Sequence, residues 1–313
     1  MPTLFVHIPK TAGSSLNASA AEIFGTDQIE CDYDASEPRT TKLVRRYIYG
    51  STTVDQYGFK KAAEAAGVQW VTGHVSVERY LHLFGAESTI SFVRDPVERV
   101  ISEFQFLRRA GQIPDDLNAF YKQPDQTNKQ FRMIGRQPWQ AFHLVGNTRR
   151  YDECVSYLAH SLRLPLKPRQ DNVRPLSDTA TVSEEIRADI LLWNERDALF
   201  VADVNNYLNG QLAAYKAGLP FCHHDHGFSA DQHVIGWAFY AGNDEAVEVG
   251  LYVDGKLAEC TRASEYREHL QTVDAPRMGH CGYRFVLTGY TGASHIEIRT
   301  QATGQTLFNW HRP

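Results

Sequence analysis

Leu4-Phe5-Val6-His7-Ile8, closed by Pro9, is a short apolar run that starts almost at the first residue and reads as a buried strand. Lys10-Thr11-Ala12-Gly13-Ser14-Ser15 follows it, and then a helical stretch from about Leu16 to Phe24, ended by Gly25. A strand that feeds a small-residue loop and then a helix turns several backbone N–H groups toward one point. The helix dipole adds positive potential there, so the point suits a phosphate or sulfate. Lys10 supplies a movable cation, Gly13 allows close backbone approach, and Ser14 and Ser15 carry hydroxyl donors. The same residues also suit an ordinary strand-to-helix turn. A Walker A loop places its Lys after the second Gly, whereas Lys10 precedes Gly13, which disfavours an ordinary nucleoside triphosphatase.

A second junction of the same kind follows Thr89-Ile90-Ser91-Phe92-Val93. Asp95 suits the N-cap of the next helix, Pro96 its first position, and Glu98 the far corner of a capping box, so the spacing predicts a helix to about Arg109 that ends at Gly111. Arg94 stands at the strand end, and Ser102 lies along the helix within reach of what Arg94 binds. An Arg beside a hydroxyl cradles a second phosphate. The alternative is a surface ion pair of Arg94 with Asp95, Glu98 or Glu103. Two anion sites after two strands of one sheet point to a nucleotide with phosphates at both ends, because such sheets bind ligands at the carboxyl ends of their strands.

The rest of the chain frames these junctions. A third strand is expected at Val68–Thr72, ended by Gly73, with Ser76 capping a helix to Phe84. Further helices are expected at 152–163, 183–195 and 204–217, and residues 26–68 give no clear pattern. Strands alternating with helices predict an α/β fold with a parallel sheet. After about residue 227 the pattern changes: Val247, Val249, Leu251 and Val253 alternate with polar or small residues, and Asp254-Gly255 marks a hairpin. The division expected is residues 1–227 as a P-loop-like α/β domain and 228–313 as a small all-β sandwich, with Phe221–Gly227 as the linker. That linker holds Cys222, His223, His224, Asp225 and His226; adjacent residues cannot all face one ion, so no metal is expected.

Composition excludes several classes. Of 313 residues, 32 are Lys or Arg and 37 Asp or Glu, a net charge of −5. A general nucleic-acid binder would need a basic surplus. No apolar run approaches the roughly 18 residues that would span a bilayer, and the N-terminus lacks signal-peptide features, so a cytosolic protein without a membrane span is expected. The five cysteines form no CxxC and read as reduced thiols.

His7-Ile8-Pro9-Lys10-Thr11-Ala12-Gly13-Ser14-Ser15-Leu16 resembles the 5′-phosphosulfate loop of carbohydrate sulfotransferases, and Val93-Arg94-Asp95-Pro96-Val97-Glu98-Arg99-Val100-Ile101-Ser102 resembles their 3′-phosphate motif. Gly73-His74-Val75-Ser76 is similar to the matching stretch of the heparan sulfate and uronyl 2-O-sulfotransferases, although Thr72 stands where those enzymes carry a second His. The resemblance covers residues 1–110 and extends weakly to about 217. It implies 3′-phosphoadenosine 5′-phosphosulfate as donor and sulfuryl transfer to a hydroxyl. Lys10 would touch the transferring group; Thr11, Ala12, Gly13, Ser14 and Ser15 would bind the 5′-phosphate; Arg94 and Ser102 would bind the 3′-phosphate; His74 would be the general base. A neutral imidazole suits that role, since its ordinary pKa lies near neutrality. Gly236-Trp237-Ala238 and the Val253-Asp254-Gly255-Lys256 hairpin resemble those of small β domains appended to bacterial glycan-modifying enzymes.

Residues 126–151 hold Lys129, Arg132, Arg136, Arg149 and Arg150 with no acidic residue. They offer a surface for an acidic acceptor, with Lys129, Arg132 and Arg136 as its candidates, or a solvated basic loop. Three functions stay open from sequence: a sulfotransferase acting on a glycan or glycolipid, a kinase-like phosphotransferase, and a non-catalytic nucleotide or glycan binder.

Overall fold

The computed structural model describes residues 1–50, 53–168, 182–229 and 232–312. The chain divides into two compact units: Met1–Phe84, Ser88–Trp139 and Leu144–Leu212 make the first, and Gly85–Glu87, Gln140–His143 and Ala213–Pro313 the second.

The first unit is built on a five-stranded parallel sheet of order β2-β3-β1-β4-β5. Its strands are β1 (Thr3–Val6), β2 (Ile29–Asp32), β3 (Trp70–Gly73), β4 (Thr89–Val93) and β5 (Leu144–Asn147). All five residues of β4 are buried, as expected of a strand covered on both faces. Leu16 and Ala20 of helix Gly13–Phe24, Cys154, Val155 and Leu158 of helix Tyr151–Ser161, and Leu208 and Leu212 of helix Glu195–Lys216 share one core with Phe5, Trp70, Ile90 and Leu144. Helix Pro96–Arg109 packs Val97, Val100, Ile101 and Phe104 against Phe120, Tyr121 and Ile190. The α/β reading therefore holds, with a parallel sheet flanked by helices.

Register fixes what stands at the carboxyl ends of the strands. Asp32 pairs with Gly73 and Val6 with Gly73, so Tyr33, His74 and His7, each one residue further on, lie side by side. Gly73 is required by backbone approach: a Cβ there would stand 2.1 Å from the Asp32 carbonyl oxygen. Strand order changes direction between β1 and β4, the switch point at which sheets of this kind bind ligands.

Local details depart from expectation for visible reasons. The single helix expected from Ser76 to Phe84 is two short pieces, Val77–Arg79 and Leu81–Phe84, and Ser76 makes no capping hydrogen bond. Tyr80, between them, leaves helical geometry and donates its hydroxyl to Asp32 Oδ2 at 2.7 Å. The capping box after β4 is half formed: Asp95 accepts from the Glu98 N–H at 3.0 Å, but the Glu98 carboxylate pairs with Arg187 at 2.6 Å instead of returning to the cap. The helix expected at 204–217 spans Glu195–Lys216, and the Asp197 carboxylate in its first turn accepts the N–H groups of Gln130 and Phe131.

The second unit has two four-stranded antiparallel sheets. One runs β10-β11-β7-β6 and the other β13-β12-β8-β9. Their strands are β6 (Cys222–Phe228), β7 (His233–Tyr240), β8 (Glu248–Val253), β9 (Lys256–Arg262), β10 (Glu265–Tyr266), β11 (His280–Val286), β12 (His295–Thr300) and β13 (Thr306–His311). Val234, Tyr283 and Phe285 of the first sheet share a core with Val249, Leu251, Ile298 and Leu307 of the second. Asp254 and Gly255 both take positive φ, 47° and 80°, as a tight hairpin between Val253 and Lys256 requires. One helical turn, Glu268–Gln271, interrupts the all-β pattern. The stretch expected as a linker is β6, a strand in which successive side chains take opposite faces: Cys222 enters the core, while the His223 ring stacks on Phe239 at 5.3 Å.

Candidate active site

Between β1 and helix 13–24, Lys10 and Ala12 hold φ of 68° and 64°, left-handed conformations that non-glycine residues seldom adopt. The loop is braced from inside, because the fully buried Thr11 hydroxyl donates to the Ile8 carbonyl at 2.8 Å. The Thr11 side chain is therefore used by the fold, leaving its backbone N–H as the group that could meet an anion. Ala12 is the N-cap, no side chain caps the helix, and its first turn has no acid. The orphan N–H groups of that turn are thus left without a side-chain acceptor. Gly13 is glycine because the His7 ring occupies the space of a Cβ, which would stand 1.9 Å from His7 Cδ2. Ser14 is exposed and Ser15 buried.

The β4 junction stands beside this loop. Gln130, fully buried, clamps the Arg94 backbone by accepting its N–H at 2.8 Å and donating to its carbonyl at 2.9 Å. The Arg94 side chain reaches the Lys10 carbonyl at 3.5 Å and lies 3.8 Å from Glu98. The Lys10 ammonium lies 4.3 Å from the centre of the Phe106 ring. Ser102 is half-buried on the second turn of helix 96–109. The neighbouring Arg99 is turned inward, fully buried, to Glu103 and the Gln126 carbonyl. Arg149, after β5, faces Asp95 at 3.8 Å and adds positive charge next to Arg94.

Across β1 lies a cluster of neutral rings. His7 and His74 meet edge to face at 4.6 Å, and Tyr33 and His74 do the same at 4.6 Å. His74 keeps one side open to solvent, yet its packed sides and the positive charge of Arg39 press its pKa down to about 4. Burial first, and then His74, Arg39 and Lys10, hold His7 well below its ordinary 6.5. Burial pushes Tyr33 up to about 12. The Arg39 guanidinium lies 4.3 Å over the Tyr33 ring. At neutral pH both imidazoles are uncharged and can accept a proton. Behind them the fully buried Asp32 carboxylate accepts from Tyr49, Arg79 and Tyr80 at 2.7–3.0 Å, which anchors the segment after His74.

The structure thus brings Lys10, the loop through Ser15 and Arg94 together, and joins His74 to the loop through His7. It gives other work to much of the basic segment. Lys129 pairs with Glu103 at 2.7 Å, and Arg132 holds the Thr127 and Asp125 carbonyls at 3.0 and 2.9 Å, while Arg136 is exposed. Sequence reasoning missed Tyr33 and Arg39, which lie in the stretch without a clear pattern, and Asn17 and Gln130, whose roles come from partners distant in the chain. Arg149 was visible only as part of a charge run.

Among the described residues no group of three or more His, Cys, Asp or Glu is placed to hold a metal ion, and no helix is long and apolar enough to cross a membrane. No protein-family model matches the chain, and no curated protein matches it. One solved structure it is similar to is a sulfotransferase from Alicyclobacillus acidocaldarius, at 16% identity and a TM-score of 0.32, covering 71% of this chain and 97% of that one. A likeness at that level leaves the chemistry to the residues of the site.

Proposed function

We propose that the chain is a sulfotransferase that moves a sulfuryl group from 3′-phosphoadenosine 5′-phosphosulfate to a hydroxyl of a glycan or glycolipid. The observation that carries this reading is the loop Lys10–Gly13: two left-handed non-glycine residues, a helix start without a side-chain cap, and Arg94 beside it. Those features favour an anion at the loop, and Arg94 with Ser102, joined by the positive charge of Arg149, suits a second phosphate on the same ligand.

In this reading His74 takes the acceptor's proton as the hydroxyl oxygen bonds to sulfur. The bond from sulfur to the 5′-phosphate oxygen breaks, and that oxygen leaves with the electron pair. Lys10 and the loop amides offset the charge where it grows. Burial first, and then the positive charge of Arg39, press the His74 pKa down to about 4, which makes it a weak base. A bound anionic donor opposes that charge and raises the pKa toward the useful range. Arg136, exposed, is the candidate that would meet an acidic acceptor; Lys129 and Arg132 would support it by holding its loop. We assign donor and acceptor binding to the first unit and an accessory role to the β sandwich.

The test is a screen of hydroxyl-bearing glycans and glycolipids with sulfur-labelled donor, run in parallel with γ-labelled ATP. Label transfer from the sulfated donor supports the proposal. Transfer from ATP alone would make the chain a phosphotransferase, and tight nucleotide binding without transfer to any acceptor would make it a binder.

A further inference from the structure

A chain of polar side chains runs behind the loop, and its direction is set at one end. The Trp70 indole N–H can only donate, and it donates to Asn17 Oδ1 at 2.9 Å. That turns the Asn17 amide nitrogen toward Tyr33, whose hydroxyl oxygen accepts from it at 3.1 Å. The Tyr33 proton then has His7 Nδ1, at 3.3 Å, as an acceptor. The opposite edge of the His7 ring lies over the loop, because a Cβ on Gly13 would stand 2.3 Å from His7 Nε2.

We propose that Trp70, Asn17 and Tyr33 hold His7 as the neutral Nε2–H tautomer, so that His7 donates a hydrogen bond to the anionic group bound at the Lys10–Ser15 loop and is not the base. The inference rests on the reading of that loop as a phosphate or sulfate site. Burial and three neighbouring groups keep the ring uncharged at neutral pH, so it has a single N–H to place. With that hydrogen on Nδ1, the Nε2 lone pair would face the anion and repel it. With it on Nε2, the phenol O–H meets an imidazole lone pair and the anion meets a donor. Tyr33 is then a positioning residue, acting on the ligand only through His7. Among the sheet-end residues, His7 and His74 divide the work: one donates to the group that leaves or transfers, and the other accepts from the nucleophile.

The tautomer is readable directly. Long-range ¹H–¹⁵N spectra of the full-length protein with ¹⁵N-labelled histidine, at pH 7, should give the Nε2–H pattern for His7 with and without saturating 3′-phosphoadenosine 5′-phosphate. Tyr33→Phe should yield a mixture of tautomers and bind that nucleotide about tenfold more weakly. His7→Gln keeps a side-chain N–H donor and should bind within about threefold of wild type, whereas His7→Leu should lose about tenfold or more. An Nδ1–H pattern in wild type, or equal binding by His7→Gln and His7→Leu, overturns the assignment. A wild-type protein that binds neither this nucleotide nor inorganic sulfate overturns the function proposed above, while a wrong tautomer with intact binding overturns only the role of His7.

Discussion

The two strand-to-helix junctions of the parallel sheet treat their helix starts in opposite ways. After β4, Asp95 accepts the Glu98 N–H, Pro96 takes the first helical position, and the Arg94 backbone is clamped by Gln130. After β1, Lys10 and Ala12 sit in left-handed geometry, no side chain caps the helix, and the first turn lacks an acid. The first junction follows the rules of a stable helix start. The second breaks them twice within three residues, at about 1–2 kcal/mol for each left-handed residue. Strain of this kind persists where packing over-determines it, and it gathers at ligand clamps. Here the buried Thr11 hydroxyl and the His7 ring over Gly13 do the holding. Under the proposed function, the contrast makes the β1 junction the binding loop and the β4 junction its support, with Arg94 and Ser102 lent to the site by the supporting junction.

The largest expected effect tests what β1 and β3 assemble. His74→Ala should leave affinity for 3′-phosphoadenosine 5′-phosphate nearly intact and lower turnover by roughly 10²–10⁴, the usual contribution of a positioned acid–base group. Retained turnover in a folded variant would make His74 structural. Next comes a pair of substitutions on the two junctions. Gly13→Ala forces a Cβ to within 1.9 Å of the His7 ring, so it should weaken nucleotide binding by at least about tenfold. Asp95→Ala should cost about 1 kcal/mol in urea unfolding and leave binding within about threefold. Similar binding losses at both positions would erase the distinction between the junctions. Ala12→Asp places a negative charge where the anion is expected; affinity should fall about tenfold while stability changes by less than about 1 kcal/mol.

The smallest effect is a pH dependence that separates site histidines from structural ones. Burial presses His143, His223 and His224 of the second unit to about 4, against 6.5 for an ordinary histidine. A folded value below the unfolded one means the unfolded chain binds more protons between the two. Their stabilisation is therefore complete above about pH 6.5 and is lost as the pH falls toward 4. Thermal unfolding followed from pH 7 to 4 should show that decline, and a flat profile would contradict it. In an NMR titration, saturating 3′-phosphoadenosine 5′-phosphate should raise the His74 pKa and leave those three unchanged.

Both junctions were legible because their signals are local: an apolar run, a Pro, a small-residue loop, an Asp-Pro start. What was not legible depends on partners distant in the chain. β2 has four residues, two of them the acids Glu30 and Asp32, and a buried Asp in a strand makes sense only once Tyr49, Arg79 and Tyr80 surround it. Tyr33 enters the site by strand register, which composition does not reveal. The ion pair of Lys129 was hidden for the same reason, since it finds its Glu103 across 26 positions. Cys222–His226 looked like a polar linker because nothing in the sequence shows that Cys222 enters the core of a sandwich while His223, on the opposite face of its strand, meets the Gln140 carbonyl at 2.9 Å.

The central claim is that the β1 loop and Arg94 together hold a nucleotide with phosphates at both ends. Calorimetric titration of the full-length protein with 3′-phosphoadenosine 5′-phosphate and with AMP tests it most directly. The bisphosphate should bind at least about tenfold more tightly, and Arg94→Ala should largely erase that preference, since a charge-assisted hydrogen bond to phosphate contributes about 1.5–3 kcal/mol. Equal affinity for the two nucleotides in the wild-type protein would contradict it.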